Sequence, residues 1–92
     1  MASFHAYEDL SVAGTSVGFT SATYGAASIA QVLVQGAPVR FRLDGTAPTA
    51  TVGDTLEIGD RLELETQDEV QKARFISRDG ASATLRCHFG KS

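Results

Sequence analysis

Stretches in which apolar and polar side chains strictly alternate fill the second half of the chain, at residues 39–43, 61–65 and 83–89. Successive side chains on a β-strand point to opposite faces, so this period of two indicates half-buried strands. The turn dipeptide Asp44-Gly45 follows the first stretch, and the turn dipeptide Asp79-Gly80 precedes the last. The spacing predicts an all-β fold, a small β-sandwich or β-barrel of about six to eight short antiparallel strands.

The alternation also assigns side chains to faces. In residues 39–43 the apolar side chains point inward and both arginines outward. In residues 83–89, Cys87 points inward with its apolar neighbours, while Arg86 and His88 point outward. Residues 56–64 are interpreted as two short strands around the tight Gly59-Asp60 turn.

Residues 67–77 are harder to assign. Acids precede bases at 67–72, as suits a helix dipole, but the segment is short for a helix and is assigned to a loop. Residues 73–77 follow as a strand.

The length of 92 residues fits one β domain spanning residues 1–92. The hydrophobic fraction is 42%, but 13 of those residues are alanine, so large apolar side chains are few. A domain of this size has a modest core, and such domains often gain stability from a partner subunit.

Residues 10–39 contain no Asp, Glu, Lys or Arg. The segment is rich in small residues, which suits a flexible arm or loop. Interface cores are also depleted of charge, so the segment equally suits a surface buried against other subunits, with short strands of its own. The candidate interface residues are Phe4, Tyr7, Val12, Val17, Phe19, Tyr24 and Ile29.

Several functional classes are disfavoured by composition. The net charge of −3 and pI of about 5.2 give no basic footprint for nucleic acid. No stretch approaches the roughly 18 apolar residues of a membrane span, and the first residues lack the pattern of a signal peptide. A single cysteine, Cys87, cannot form an internal disulfide, which suits a reducing cytosol.

The sequence lacks the residues that a catalytic site or a metal site needs. The two histidines are His5 and His88, and His88 points to the face opposite its neighbour Cys87, so the two cannot pair. Cys87 is interpreted as a small buried hydrophobe, and His88 as a solvent or interface residue. One Cys with two His is too few for zinc, and the acidic residues lack calcium-loop spacing. The sequence predicts no enzyme, cofactor or metal site.

Charge is segregated within the second half. Residues 57–69 hold six acids against Arg61, and residues 70–92 hold five bases against Asp79. These segments could pair within one subunit, or head to tail between subunits of a ring or lattice.

Several motifs in order resemble a known group of proteins. They are a loop with Asp44, Gly45, Thr46, Pro48 and Thr49, then Gly59-Asp60, then Ser82-Ala83-Thr84-Leu85 and a closing Phe89. Together, over residues 38–89, they resemble small β-rich proteins encoded among the head and virion structural genes of tailed bacteriophages. The resemblance implies a virion structural role, such as a capsid decoration or head accessory protein, and no catalytic residues.

The function expected is therefore a capsid decoration or stabilising protein that binds the major capsid protein, or other virion proteins, as a homo-oligomer. It would reside in the virion, after assembly in the host cytoplasm, with no nucleic-acid or membrane partner. A component of the head–tail neck, tail or fibre base is the first alternative. A small ligand- or carbohydrate-binding β module is an alternative of another class, although the chain has no Trp and only two Tyr for stacking on sugars.

Overall fold

The computed structural model describes residues 3–49 and 51–91. These residues form eight strands and two short helices. In chain order the elements are β1 (Ser3–Val12), β2 (Val17–Gly18), α1 (Ser21–Tyr24), β3 (Ile29–Gln35), β4 (Val39–Arg42), β5 (Asp54–Leu56), β6 (Arg61–Leu64), α2 (Gln67–Lys72), β7 (Arg74–Ser77) and β8 (Ala83–Lys91).

The strands form two four-stranded antiparallel sheets. Sheet A has the order β1-β8-β3-β6, and sheet B has the order β2-β7-β4-β5. Among the strand pairs of the described residues, only β4–β5 joins strands that follow one another in the chain. Every other pair joins segments that are distant in sequence, so both sheets depend on the whole described chain being folded.

The core lies between the inner faces of the two sheets. β3 alternates half-buried and buried positions along its whole length, and β8 buries every second residue from Ala83 to Phe89. Aromatic rings join the sheets at the centre: Phe19 lies 5.3 Å from Phe75 of sheet B and 5.0 Å from Phe89 of sheet A, between ring centroids. Such tilted and edge-on pairs are the favoured aromatic geometries.

The predicted all-β fold is confirmed, with eight antiparallel strands. The face assignments are also confirmed. Val39 and Phe41 are buried in β4, and Cys87 is fully buried in β8, whereas Arg86 and His88 are exposed.

The two short strands predicted around the Gly59-Asp60 turn are present as β5 and β6, but they do not pair with each other. β5 pairs with β4 in sheet B, whereas β6 pairs with β3 in sheet A. The Gly59-Asp60 turn therefore carries the chain from one sheet to the other. Ile58 in this turn is 60% exposed, because the chain leaves sheet B after Leu56.

The assignment of residues 67–72 to a loop is wrong, since these residues form α2. Thr66 caps the helix: its Oγ1 accepts a hydrogen bond from the Glu69 N–H at 3.2 Å. Val70 is 1% exposed and fixes the helix to the core. Tertiary burial supplies the stability that so short a helix lacks by itself.

The charge-free residues 10–39 are part of the fold and do not form an arm. They supply the end of β1, all of β2, α1 and β3, the first residue of β4, and seven buried core residues: Val12, Ala27, Ala30, Val32, Val34, Ala37 and Val39. At these core positions, burial within the domain itself accounts for the absence of charge.

Candidate functional site

The outward-facing side chains of sheet A form the candidate site, named here the outer face. Strand register aligns them in rows that cross all four strands. The first row is Tyr7, His88, Gln31 and Glu63, and the second row is Asp9, Arg86, Leu33 and Arg61. The row between them points into the core and contains Cys87 and Val32, both fully buried.

An aromatic cluster occupies one side of the outer face. Phe4 and Tyr7 are 48% and 44% exposed, unusual for such large apolar side chains. Both contact the His88 ring, with centroid distances of 6.0 Å for Phe4 and 4.8 Å for Tyr7. The β1–β8 register shifts between Phe4 and Ala6, and this bulge brings Phe4 to the same face as Tyr7.

Arg86 is held in place by three neighbours on the outer face. Its guanidinium donates hydrogen bonds to the Tyr7 hydroxyl at 3.2 Å and to Oε1 of Gln35, and its Nη1 lies 3.8 Å from Oδ1 of Asp9. The Tyr7 hydroxyl in turn donates to Asp9. The hydrogen bond to Asp9 raises the pKa of Tyr7, and the hydrogen bond with Tyr7 raises the pKa of Arg86. The network presents a charged, preorganised guanidinium beside the aromatic cluster.

Two shallow depressions adjoin on this surface. One, of about 340 Å³, contains both arginines and is lined by Tyr7, Gln31, Leu33, Arg61, Arg86 and His88. The other, of about 510 Å³, contains two glutamates and is lined by Phe4, Ile29, Ala30, Gln31, Glu63, Leu64 and Glu65. Exposed aromatic rings beside arginines are the composition enriched at protein interfaces and their energetic hot spots.

Cys87 contributes no chemistry to this surface. Its side chain is fully buried beneath the outer face, and its Sγ lies 3.5 Å from the backbone carbonyl oxygen of Leu85. Burial, with a smaller contribution from the Glu8 and Asp9 carboxylates, raises the pKa of the thiol to about 12. A thiol held neutral in this way is a poor nucleophile and a poor metal ligand. In residues 3–49 and 51–91, no three His, Cys, Asp or Glu side chains cluster closely enough to hold a metal ion.

The candidate interface residues separate into two groups. Phe4 and Tyr7 lie on the outer face, and Ile29 lines one of its depressions. Val12 is fully buried, so its assignment to an interface is wrong. The remaining three, Val17, Phe19 and Tyr24, are half-buried and pack against the core of their own domain.

Sequence reasoning did not identify Asp9, Gln31, Arg61, Glu63 or Arg86 as site residues, although it oriented Arg86 outward and left His88 as a solvent or interface residue. Alternation identifies Arg61, Glu63 and Arg86 as outward-facing, whereas Asp9 and Gln31 lie on β1 and β3, where apolar and polar residues do not alternate cleanly. Only the strand order, which pairs β8 with both β1 and β3, shows that they share one surface.

The motif loop belongs to sheet B. The Asp44 carboxylate accepts hydrogen bonds from the Arg42 guanidinium and from the Thr46 N–H, which lowers the pKa of Asp44. Thr49 Oγ1 accepts a hydrogen bond from the Val52 N–H at 3.0 Å, and Pro48 is buried. These bonds within the β4–β5 connection give the loop a defined shape.

The segregated charges pair partly within the subunit. Arg78 binds Glu57 at 2.9 Å, and Lys72 binds Asp68 at 3.1 Å across one turn of α2. On β6, by contrast, the Arg61 and Glu63 side chains form no ion pair with any other residue that the structure describes.

No protein-family model matches this chain, and no curated protein is similar enough in sequence to count as a relative. Neither helix of the described residues has the length and apolar character required to cross a membrane.

Proposed function

We propose that this protein is a structural subunit of a tailed-bacteriophage particle, a capsid decoration or stabilising protein that binds other virion proteins through its outer face. The observation that carries the proposal is the aromatic cluster of Phe4, Tyr7 and His88 beside the ordered guanidinium of Arg86. Anchors of this kind supply most of the binding energy in protein interfaces.

The assignment to a phage particle rests on the resemblance over residues 38–89. The loop that carries the resemblance is held in shape by internal hydrogen bonds at Asp44 and Thr49.

The mechanism is the addition of contact area across boundaries between capsid subunits. Each bound copy covers surface on more than one neighbour, so expansion or internal pressure must break its contacts together with those of the shell. A rigid sandwich suits this task, because little conformational entropy is lost when it binds.

A mixing experiment tests this function. Purified protein is added to expanded capsids of the encoding phage that were assembled without it, and binding is measured by co-sedimentation. We expect the wild type to bind and Tyr7→Ser to bind at least about tenfold more weakly. Ile58→Ser, which removes an even more exposed apolar side chain from the β5–β6 turn, serves as the matched control and should bind normally.

A wild-type protein that stays in the supernatant would overturn the decoration role. Copy number per particle then separates the positions within a virion. A decoration protein is present in hundreds of copies, whereas a neck ring holds about six or twelve.

Glycan binding is the second candidate, because the rings of Tyr7 and His88 border the 340 Å³ depression. Aromatic faces stack on sugars, and arginines bind the carboxylates of acidic sugars. A glycan array that includes uronic acids checks this function, and Tyr7→Ser should abolish any signal that depends on the outer face.

A further inference from the structure

We propose that two copies of this chain pack outer face against outer face, about a twofold axis that crosses the strands between the Gln31 and Leu33 rows. Arg61 of each copy then pairs with Glu63 of the other. The inference goes beyond the proposed function, because the dimer covers the face assigned to capsid binding and must dissociate before that face binds another virion protein.

The charge pattern of β6 is the starting point. Along this edge of the outer face, Glu65 and Glu63 lie at one end and Arg61 at the other. Arg61 and Glu63 are both exposed, and among the described residues neither side chain has an ion-pair partner. A positive and a negative side chain therefore follow one another along this edge, and neither has an ion-pair partner among the described residues of its own subunit.

Symmetry makes this pattern complementary to itself. A twofold axis that lies in the interface and runs across the strands exchanges the two rows, so Arg61 of one copy meets Glu63 of the other. Every contact in a twofold interface occurs twice, so one complementary pair yields two ion pairs. Two sheets also pack face to face readily, with their strands within about 30° of each other.

The remaining contacts of the two rows are compatible with this axis. Arg86 of one copy comes over the Tyr7–His88 ring pair of the other, where a guanidinium gains a cation–π contact. An axis along the strands is less favourable. It would set Arg61 opposite Asp9, which Tyr7 and Arg86 already bind, and would leave Glu63 opposite Tyr7.

The size of the outer face sets the expected affinity. Four strands and four outward rows span roughly 20 by 25 Å, so two faces bury on the order of 1,000 Å². This is the lower end for a specific interface, so we expect a dimer with a dissociation constant in the micromolar range. Its affinity should fall with added salt, since exposed charge pairs are screened.

Sedimentation equilibrium of the full chain, from roughly 5 to 200 µM, tests the dimer directly. Arg61→Glu and Glu63→Arg should each weaken self-association at least about tenfold, because like charges then meet twice. An equimolar mixture of the two variants should restore the dimer, since each altered residue now faces an opposite charge. Arg74→Glu, the same charge change on sheet B, should leave self-association unchanged, and circular dichroism should show that all three variants fold.

A wild-type protein that stays monomeric throughout this range overturns the inference, and so does a mixture that stays monomeric. Co-sedimentation with capsids is a separate readout. A monomer whose capsid binding depends on Tyr7 would leave the proposed function standing while removing the dimer. A dimer that binds no capsid would remove the proposed function and leave the dimer standing.

Discussion

Gly53, directly before β5, has a backbone conformation that other residues avoid. Its φ is +130°, and a Cβ placed there would lie 3.0 Å from the Phe41 carbonyl oxygen and 3.2 Å from Cβ of Pro48. The Gly53 carbonyl oxygen also accepts a hydrogen bond from Arg40 Nη1 at 2.9 Å. The motif loop and β4 therefore meet at a point where only glycine fits.

We expect Gly53→Ala to lower the free energy of unfolding by about 1–3 kcal/mol, through backbone strain and displacement of the loop. Urea denaturation measures the change. Gly14→Ala is the matched control, since no atom lies within 4 Å of an added Cβ there and its φ is not positive. Equal effects of the two substitutions would contradict this explanation.

The thiol of Cys87 makes stability depend on alkaline pH. Burial raises its pKa to about 12, whereas in the unfolded chain it ionises near 8.5–9. The folded state thus retains the proton over a pH range in which the unfolded state loses it. Stability is unaffected below the unfolded pKa and falls as the pH rises from about 9 towards 12.

At pH 10 this linkage should cost the wild type about 1.5–2 kcal/mol relative to pH 8. Cys87→Ala should lack this part of the alkaline loss, although it starts less stable because it leaves a small cavity. Urea denaturation of both proteins at the two pH values measures the difference. Parallel losses in both proteins would show that the thiol is not responsible.

At the scale of elements, α2 depends on its N-cap. Thr66 Oγ1 accepts a hydrogen bond from the Glu69 N–H, and Oε1 of Glu69 accepts one from the Glu65 N–H at 3.2 Å. Backbone N–H groups both before and inside the first helical turn therefore have partners. Thr66→Ala should lower the free energy of unfolding by about 1 kcal/mol, while Thr66→Ser should change it little. Thermal unfolding followed by circular dichroism distinguishes the two variants.

The sequence predicted those elements in which local pattern and tertiary environment agree. β4 and β8 alternate cleanly and were assigned correctly. β1 was not identified, because Glu8 lies at an inward position of its alternation. Glu8 is accommodated there by accepting hydrogen bonds from the Thr20 N–H at 2.9 Å and the Thr20 hydroxyl at 2.8 Å. This partner is 12 residues away, so no local pattern could reveal it.

The same reasoning explains why the sequence did not predict α2 or the strand partners of β5 and β6. The Thr66 and Glu69 spacing of a capping box was present in the sequence, but the burial of Val70 that stabilises the helix is a property of the fold. Likewise, a tight turn between two short strands looks the same whether the strands pair or enter different sheets. The outer face was only partly predictable for this reason: local pattern shows which residues point outward, and topology decides which of them share a surface.

At the scale of the whole molecule, the pairing of β1 with β8 should limit the folding rate. Ser3 is in register with Lys91, so this ladder closes a loop that includes nearly the entire chain. Domains dominated by such distant pairings fold in roughly milliseconds to seconds. The delay arises because the entropy of loop closure is lost before the contacts form.

A circular permutant tests this explanation. A short glycine-rich linker joins Lys91 to Ser3, and the chain is opened at the exposed Gly80, so β8 and β1 become a hairpin. Stopped-flow refolding should be roughly three- to tenfold faster than for the natural order. A chain that carries the linker at one end without permutation is the control, and an unchanged rate would show that another step limits folding.

The position of β8 between β1 and β3 has a consequence for biosynthesis. β8 leaves the ribosome after the other seven strands, and until then β1 has no neighbour in sheet A. A nascent chain consequently lacks Arg86 and His88, and Tyr7 has no ring on which to stack. The surface that we assign to association is therefore absent from any chain that stops short of β8.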